Sequence, residues 1–280
     1  MAKTPTVSIR FWLENRRIGN LGDALNLSLL RWLGYEPVRT NAVGSVNPGR
    51  CLFAVGSLIS SPHISRADKP IDVWGSGWRG EQLEQRQLDQ LTIHAVRGPR
   101  TAAALGFPDV PLGDPALLTP RFHPKPISRS AGPAILFPHV SMRQVPDPAS
   151  VGCDTVISMR VRQRGNWIGR SLPTPLELVD RIASAGFVLA GALHAAILAQ
   201  AYGVPWAAWA GSKIDCPAKW VDWAEYLGVD RIHVADRWDG EHWWHRSGCH
   251  GKVRPLEPLL DAFPYRANPQ STPPVGGESV

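Results

Sequence analysis

The chain has 280 residues, 44% hydrophobic and 19% charged, a balance typical of a globular protein with room for two ordinary domains. Its net charge of +6 and pI near 9.4 favour an anionic partner such as a phosphate, a nucleic acid or an acidic membrane surface. No apolar run is long enough to span a bilayer, no secretion signal is recognised, and the four cysteines are widely spaced. We therefore expect a cytoplasmic protein.

Short apolar runs alternate with helix-like segments in the N-terminal half. The predicted strands are Val7–Trp12, Cys51–Val55, Ile71–Trp74 and Leu91–Val96. The predicted helices run from about Ala24 to Leu33 and from the segment after Val96 to a stop at Gly106. Glycine-rich loops connect these elements. This alternation predicts a mostly parallel, doubly wound α/β sheet.

A segment rich in proline, serine and basic residues at 120–133 indicates a linker. It divides the chain into predicted domains at 6–122 and 133–265, followed by a disordered tail at 266–280. Predicted strands in the second domain are Ala134–Pro138, Thr155–Met159, Phe187–Ala190 and Trp206–Trp209. Predicted helices open at the capping box of Thr174, at Leu193, at Pro217 and near Pro255. The Trp- and His-rich segment before the last helix reads as a surface loop.

Three histidines follow or end predicted strands: His94, His139 and His194. Ligands of parallel α/β sheets bind beyond the carboxyl ends of the strands, and imidazole titrates near neutrality, so each is a candidate functional residue. His194 also falls in the first turn of a helix, where free N–H groups favour anions. His63 and His123 read as structural or exposed residues.

Three other patterns have competing interpretations. The GSGWRG loop at 75–80 matches the dinucleotide-binding fingerprint in form, but no acid follows at about 20 residues' distance, which favours a loop that contacts some other ligand. His242, His245, Cys249 and His250 have spacings that zinc could use, but adjacent Cys249 and His250 fit one tetrahedral site poorly. The basic loop holding Arg160, Arg162, Arg164 and Arg170 is either solvated or binds phosphate or anionic lipid.

Five elements in this order resemble the polysaccharide pyruvyl transferase family. They are NLGD at Asn20–Asp23, the glycine turns at Gly56-Ser57 and Gly75–Gly77, VRGPRTAAALG from Val96, LGDPALL at Leu112–Leu118, and LHAAILAQAYGVPWAAW from Leu193, followed by Lys213. FPHVSM at Phe137–Met142 is similar to the Pro-His element of members that act on exopolysaccharide units. One departure is Ala192, which stands where many members have arginine.

The resemblance implies a glycosyltransferase-B-like fold, with two Rossmann-like domains facing across a cleft. It also implies phosphoenolpyruvate as donor and a sugar of a lipid-linked oligosaccharide or exopolysaccharide unit as acceptor, with a pyruvate ketal as product. No metal and no other cofactor are expected. Peripheral contact with the inner face of an anionic membrane is compatible with the charge, and nucleic acid is not expected as a partner.

The resemblance and the strand-end positions together suggest roles for individual residues. The expected catalytic residues are His194, His139 and Asp23. The expected donor-binding residues are Arg97, Arg100, Arg160, Lys213 and Leu193. The expected acceptor-binding residues are Asn20, Trp74, Gly75, Gly77 and Trp78, with the Trp243-Trp244 region as a further stacking surface.

Two alternatives remain open. The first is a glycosyltransferase of the same architecture that uses a nucleotide sugar, although no carboxylate clearly suited to gripping a ribose is recognised in the second domain. The second is a non-catalytic saccharide-binding relative, which the alanine at position 192 favours.

Overall fold

The computed structural model describes residues 4–10, 18–38, 46–67, 69–125, 132–162, 172–211, 214–230, 232–247 and 253–265. Its strands are β1 Thr6–Ser8, β2 Ile18–Asn20, β3 Glu36–Val38, β4 Cys51–Phe53, β5 Ile71–Ser76, β6 Leu91–Val96, β7 Ala134–Phe137, β8 Thr155–Val156, β9 Arg160–Arg162, β10 Phe187–Ala190, β11 Trp206–Trp209 and β12 His233–Val234. The predicted tail at 266–280 lies outside the described residues, as do Arg164, Arg170, Lys213, Cys249 and His250.

The helices are α1 Leu21–Trp32, α2 Ser61–Ala67, α3 Gln85–Leu88, α4 Pro99–Leu105, α5 Thr119–Phe122, α6 Pro175–Ala183, α7 Leu193–Ala201, α8 Pro217–Leu227, α9 Arg237–Ser247 and α10 Glu257–Asp261. Two 3₁₀ turns lie at Pro115–Leu118 and Pro148–Val151. None of the helices in the described ranges is both long and apolar enough to cross a membrane.

Both halves of the chain contain parallel sheets. In the N-terminal half β4, β5 and β6 pair side by side, β1 pairs with β3, and Ile9 pairs with Leu52, so the order across is β3-β1-β4-β5-β6. In the C-terminal half the order is β8-β7-β10-β11-β12. We number the strands of each half in chain order and leave out β2 and β9, which pair with each other in a separate two-stranded sheet. Both orders then read 2-1-3-4-5, which is one of the common doubly wound arrangements. The predicted parallel α/β architecture is confirmed.

The two halves pack closely against each other. A single hydrophobic cluster runs through both, from Leu25 of α1 to Leu189 of β10. The turn at Pro115–Leu118 packs on α7, α4 packs on α8, and β2 pairs antiparallel with β9. Near the C-terminus, the chain returns to the first half, where the Trp74 indole N–H donates to the Leu259 carbonyl at 2.7 Å. The division at 122/133 stays a prediction.

A buried ion pair between Arg97, two residues before α4, and Asp222 of α8 lies beneath these packed surfaces and links the two helices. Arg97 and Asp222 are 0% and 2% exposed, and Arg97 Nε donates to Asp222 Oδ2 at 3.2 Å. Thr101 completes the contact, donating to the same carboxylate through its hydroxyl at 2.8 Å and through its backbone N–H at 2.9 Å. Buried charges are tolerated only when paired and hydrogen-bonded in this way.

Local sequence signals placed most helix ends correctly. Thr174 caps α6 through the predicted capping box with Glu177, and Gly106 ends α4 in the left-handed conformation, with φ at 80°. The predicted β10–α7–β11 unit is also present.

Two predictions were wrong. The basic segment begins as a strand, β9, because β2 offers it a pairing edge. The Trp- and His-rich segment is helix α9, and Trp243 and Trp244 are buried against Trp206. Gly240 permits this close packing, since a Cβ there would lie 2.8 Å from the ring of Phe187.

We predict that Asp222→Ala lowers the free energy of unfolding by about 3–5 kcal/mol, because it leaves the buried Arg97 charge unpaired. Glu225→Ala is the matched control, since it breaks the exposed Arg100–Glu225 pair between the same two helices and should cost less than about 1 kcal/mol. Urea unfolding monitored by tryptophan fluorescence measures both. Equal, small losses would show that the buried pair does not hold the helices together.

Candidate active site

A cavity of about 770 Å³ opens between the two halves at the carboxyl ends of β4, β7 and β10. The N-terminal half contributes Asn20, Asp23, Gly56, Ser57, Leu58, His63 and Arg79. The C-terminal half contributes His139, Val140, Ser141, Met142, Arg143, Met159, Arg160, Ala192, Leu193, His194, Asp215 and Lys219. This is the place at which parallel α/β sheets bind their ligands.

His194 reaches the cavity from the first turn of α7. Behind it lies Asp114, a fully buried carboxylate whose Oδ2 is 3.4 Å from His194 Nε2 and which also caps the 3₁₀ turn by accepting from Ala116 N–H. In front of it lies Gly22 of α1, where a Cβ would approach His194 Nδ1 to 2.1 Å. The imidazole is therefore held between one carboxylate and bare backbone, with 14% of its side chain exposed.

Asn20 and Asp23 form the adjoining wall at the start of α1. Asn20 caps the helix by accepting from the Asp23 N–H at 3.1 Å, and its amide donates back to the Asp23 carboxylate. Asn26 ties the same helix to the end of β4 by exchanging two hydrogen bonds with the backbone of Val55, each 2.9 Å long. The NLGD element therefore forms this part of the cavity wall through Asn20 and Asp23, and it contacts the His194 ring through Gly22.

His139 also lines the cavity, from the loop after β7. Its Nε2 lies 3.3 Å from Asp215 Oδ2, and Lys219 Nζ donates to the same carboxylate oxygen at 2.5 Å. Burial, helped by the charge of Lys219, lowers the pKa of His139 to about 4 against the opposing pull of Asp215. His139 is therefore neutral at neutral pH. Burial also lowers the pKa of Lys219, although Asp215 opposes the shift.

The cavity wall carries more positive than negative charge. Its cationic residues are Arg79, Arg143, Arg160 and Lys219, and its carboxylates are Asp23 and Asp215. Arg79 follows β5, on the glycine-rich loop, and its charge lowers the pKa of both His63 and His139, each shift being due first to burial. These cations suit an anionic ligand.

Six of the predicted site residues lie together in the cavity wall: Asn20, Asp23, His139, Arg160, Leu193 and His194. Arg97 is not among them, because its guanidinium is buried behind the wall and donates to Ser57 Oγ at 2.7 Å. Arg100 pairs with Glu225 near the surface. Both arginines are thus committed to structural ion pairs rather than to the open cavity.

The predicted acceptor residues of the glycine-rich loop need correction. Trp74 is fully buried against Phe263, so its ring has no face open to a sugar. Gly75, with φ at 80°, packs against Pro115, and Gly77 leaves the space that the Arg97 guanidinium fills. Trp78 donates its indole N–H to the Glu81 carbonyl outside the cavity wall. The loop frames the site and contributes only Arg79 to its surface.

Two further candidates also lie elsewhere. His94 lies within β6, two residues before its end, but its Nε2 lies 3.1 Å from Asp72 in a separate polar network and not in the cavity wall. Trp243 and Trp244 belong to the core of the second half.

Several wall residues were not predicted from the sequence. Asp215 and Lys219 could have been found from their i,i+4 spacing at the start of a predicted helix, which brings an acid and a base onto one face. Arg79 was visible within the glycine-rich loop after a strand. His63 gave no local signal, because α2 carries it to the wall through long-range packing.

No metal site emerges from the part of the chain that the structure describes. Within those ranges, no three His, Cys, Asp or Glu side chains come close enough to hold an ion. His242 and His245 both lie on α9, while the other two members of the proposed zinc set fall outside the described residues.

Parallel sheets with a polar, histidine-containing cavity at their strand ends define an α/β protein with a site of the enzyme type. Residues 20–210 match the polysaccharide pyruvyl transferase family, and the chain belongs to that family. It is 30% identical over 238 residues to the succinoglycan biosynthesis protein ExoV of Rhizobium meliloti (strain 1021). That alignment covers 78% of this chain and 66% of the relative, so the chain spans just under two thirds of the relative's length.

Among solved structures, the crystal structure of protein KP1_0663 from Klebsiella pneumoniae subsp. pneumoniae NTUH-K2044 is similar to this chain at a TM-score of 0.48 and 16% identity. The match covers 82% of this chain and 93% of that one.

We predict that burial of neutral His139 makes stability depend on pH. Its pKa is about 4 in the folded protein and 6.5 when unfolded, so the unfolded state binds more protons between these values. The contribution is fully present above pH 6.5 and is lost as the pH falls towards 4, amounting to up to about 3 kcal/mol. Urea unfolding of wild type and His139→Asn across this range measures it. Parallel pH curves for the two proteins would contradict the prediction.

Proposed function

We propose that this protein transfers a pyruvyl group from phosphoenolpyruvate to two hydroxyls of one sugar in an exopolysaccharide unit, forming a pyruvate ketal and releasing phosphate. Membership of the polysaccharide pyruvyl transferase family and the likeness to a succinoglycan biosynthesis protein support this reaction. The observation that carries the proposal is the cavity itself, which is lined by two histidines from different elements and by four cationic side chains against two carboxylates.

The cationic part of the wall suits the donor. Phosphoenolpyruvate carries a phosphate and a carboxylate, and both are best held by charged hydrogen-bond donors. Arg79 and Lys219 come from opposite halves of the chain and flank His139. In this proposal they take over from the arginine that many family members place at the position of Ala192. Arg79 presents a planar fork, which matches carboxylate or phosphate oxygens in pairs.

The two histidines divide the proton transfers. His194, backed by Asp114, donates a proton to the methylene carbon of the donor, while neutral His139 removes the proton of the first attacking hydroxyl. That hydroxyl oxygen bonds to the enol carbon. The second hydroxyl then attacks the same carbon as the C–O bond to phosphate breaks, and its proton leaves with the phosphate. The lining cations stabilise the charge that builds on the leaving phosphate.

Architecture and acceptor are parts of the same proposal. The repeated 2-1-3-4-5 strand order supports two Rossmann-like domains that face across the cavity in a glycosyltransferase-B-like arrangement.

Arg143 and Arg160 line the cavity on the second half, where they suit a charged linkage on a lipid-linked acceptor. Such an acceptor would be met at the inner face of the membrane. Asn20 and Asp23 offer amide and carboxylate groups to its sugar hydroxyls.

We predict that His194→Ala abolishes acceptor-dependent phosphate release from phosphoenolpyruvate, because the donor carbon then lacks its acid. A coupled phosphate assay with a pyruvate-free oligosaccharide as acceptor measures the rate. His245→Ala, on α9 and outside the cavity wall, is the control and should leave the rate unchanged. A wild-type rate in His194→Ala would remove this residue from the mechanism.

We predict that Arg79→Gln raises the KM for phosphoenolpyruvate by about 10- to 100-fold, the usual worth of a charged hydrogen bond. Arg86→Gln, whose side chain is 78% exposed on α3, is the matched control. In a thermal-shift screen, phosphoenolpyruvate should stabilise wild type more than Arg79→Gln, and nucleotide sugars should stabilise neither. Stabilisation by a nucleotide sugar alone would favour the glycosyltransferase alternative.

A further inference from the structure

Ser141, His139 and Asp215 are neighbours in the cavity wall, with a hydrogen bond between Ser141 and His139 and a close contact between His139 and Asp215. Ser141 Oγ is 2.7 Å from His139 Nδ1, and the Ser141 backbone N–H donates to the same nitrogen at 3.3 Å. On the far side of the ring, His139 Nε2 is 3.3 Å from Asp215 Oδ2. All three residues line the cavity, and Ser141 is exposed to it.

The backbone fixes the direction of these contacts. A backbone N–H is always a donor, so Nδ1 of neutral His139 must be the acceptor and Nε2 must carry the proton. The Nε2–H group then faces the Asp215 carboxylate. Because Nδ1 has only a lone pair to offer, the Ser141 hydroxyl donates to it, which leaves the lone pairs of Ser141 Oγ free to accept from a ligand.

Lys219 holds Asp215 in place. Its side chain is 7% exposed, and its ammonium donates to the Asp215 oxygen that lies near His139. The charged groups that act on the ring are Lys219, Asp215 and Arg79. Two cations therefore disfavour a proton on His139, and one carboxylate favours it. An anion bound beside Lys219 and Arg79 would offset both cations and make the ring a stronger base.

We propose that Ser141, His139 and Asp215 act as a proton relay in which the Ser141 hydroxyl, not the imidazole, meets the attacking hydroxyl of the acceptor. This inference rests on the proposed function and names the group that touches the acceptor. Ser141 is then a catalytic residue. Asp215 is a positioning residue that acts through His139, and Lys219, besides its proposed contact with the donor, holds Asp215 in place.

The relay carries one positive charge from the acceptor hydroxyl to His139 by two successive proton transfers. As the acceptor oxygen bonds to the enol carbon of the donor, its proton passes to Ser141 Oγ, and the original Ser141 proton passes to His139 Nδ1. His139 becomes an imidazolium whose Nε2–H is stabilised by Asp215. The methylene carbon of the donor receives its proton from His194. Since the two cations near His139 disfavour this imidazolium until the donor is bound, the relay accepts a proton only when both substrates are present.

Ser141→Ala should lower kcat by about 100-fold, which is in the range of one general-base group, with KM for phosphoenolpyruvate changed less than about twofold. Ser141→Thr retains the hydroxyl and should restore most of the rate. Ser150→Ala is the control, because Ser150 bonds to the Asp147 carbonyl away from the cavity. An unchanged kcat in Ser141→Ala would overturn the relay, provided that wild type releases phosphate.

A second measurement is independent of catalysis. Histidine NMR of the ligand-free protein, assigned with His139→Asn, should show the neutral Nε2–H form of His139 at pH 7. Asp215→Asn should lower the His139 pKa further, and Lys219→Met should raise it, because each removes one of the two opposite charges. An Nδ1–H form, or no shift in a folded variant, would overturn the relay. A wild type inactive on phosphoenolpyruvate but with this NMR pattern would instead refute the proposed function.

Discussion

The buried pair of Arg97 and Asp222 is the contact on which the site depends. It joins the end of β6 to the middle of α8, and α8 carries Lys219 into the cavity wall. On its other side the Arg97 guanidinium bonds to Ser57, which lines the cavity from the first half. The pair therefore sets the distance between the two walls. The resemblance to the family suggested an anion-binding role for this arginine. Because Arg97 is buried and bonded to Asp222 and Ser57, its role is structural.

The two histidines of the cavity have different charged neighbours. His194 has a carboxylate, Asp114, behind it, whereas His139 lies near two cations and one carboxylate. On these different surroundings the proposed mechanism bases the opposite proton-transfer roles of the two histidines. Ala192 brings no charge to the wall, and the proposed function assigns donor binding to Arg79 of the first half and to Lys219 near His139.

Local patterns in the sequence predicted local structure well. The capping box of Thr174 and the β10–α7–β11 unit were found because their signals lie within a few neighbouring residues. Trp74 was misjudged because only the return of the chain near Leu259 shows that its ring is covered. The partner of Arg97 lies 125 residues away, and no local pattern encodes that distance. The two histidines and the wall formed by Asn20 and Asp23 were thus foreseeable from local patterns, whereas the burial of Arg97 and its ion pair with α8 were not.

The contact between Gly22 and His194 limits how this chain can be recombined with its relatives. The imidazole comes from one half and the bare backbone that seats it from the other, with no room for even a methyl group between them. Chimeras that exchange whole halves would keep His194 in its present position only where the incoming first half has glycine at the position of Gly22. The two halves are thus bound to evolve together at this point, even though each carries a sheet of its own.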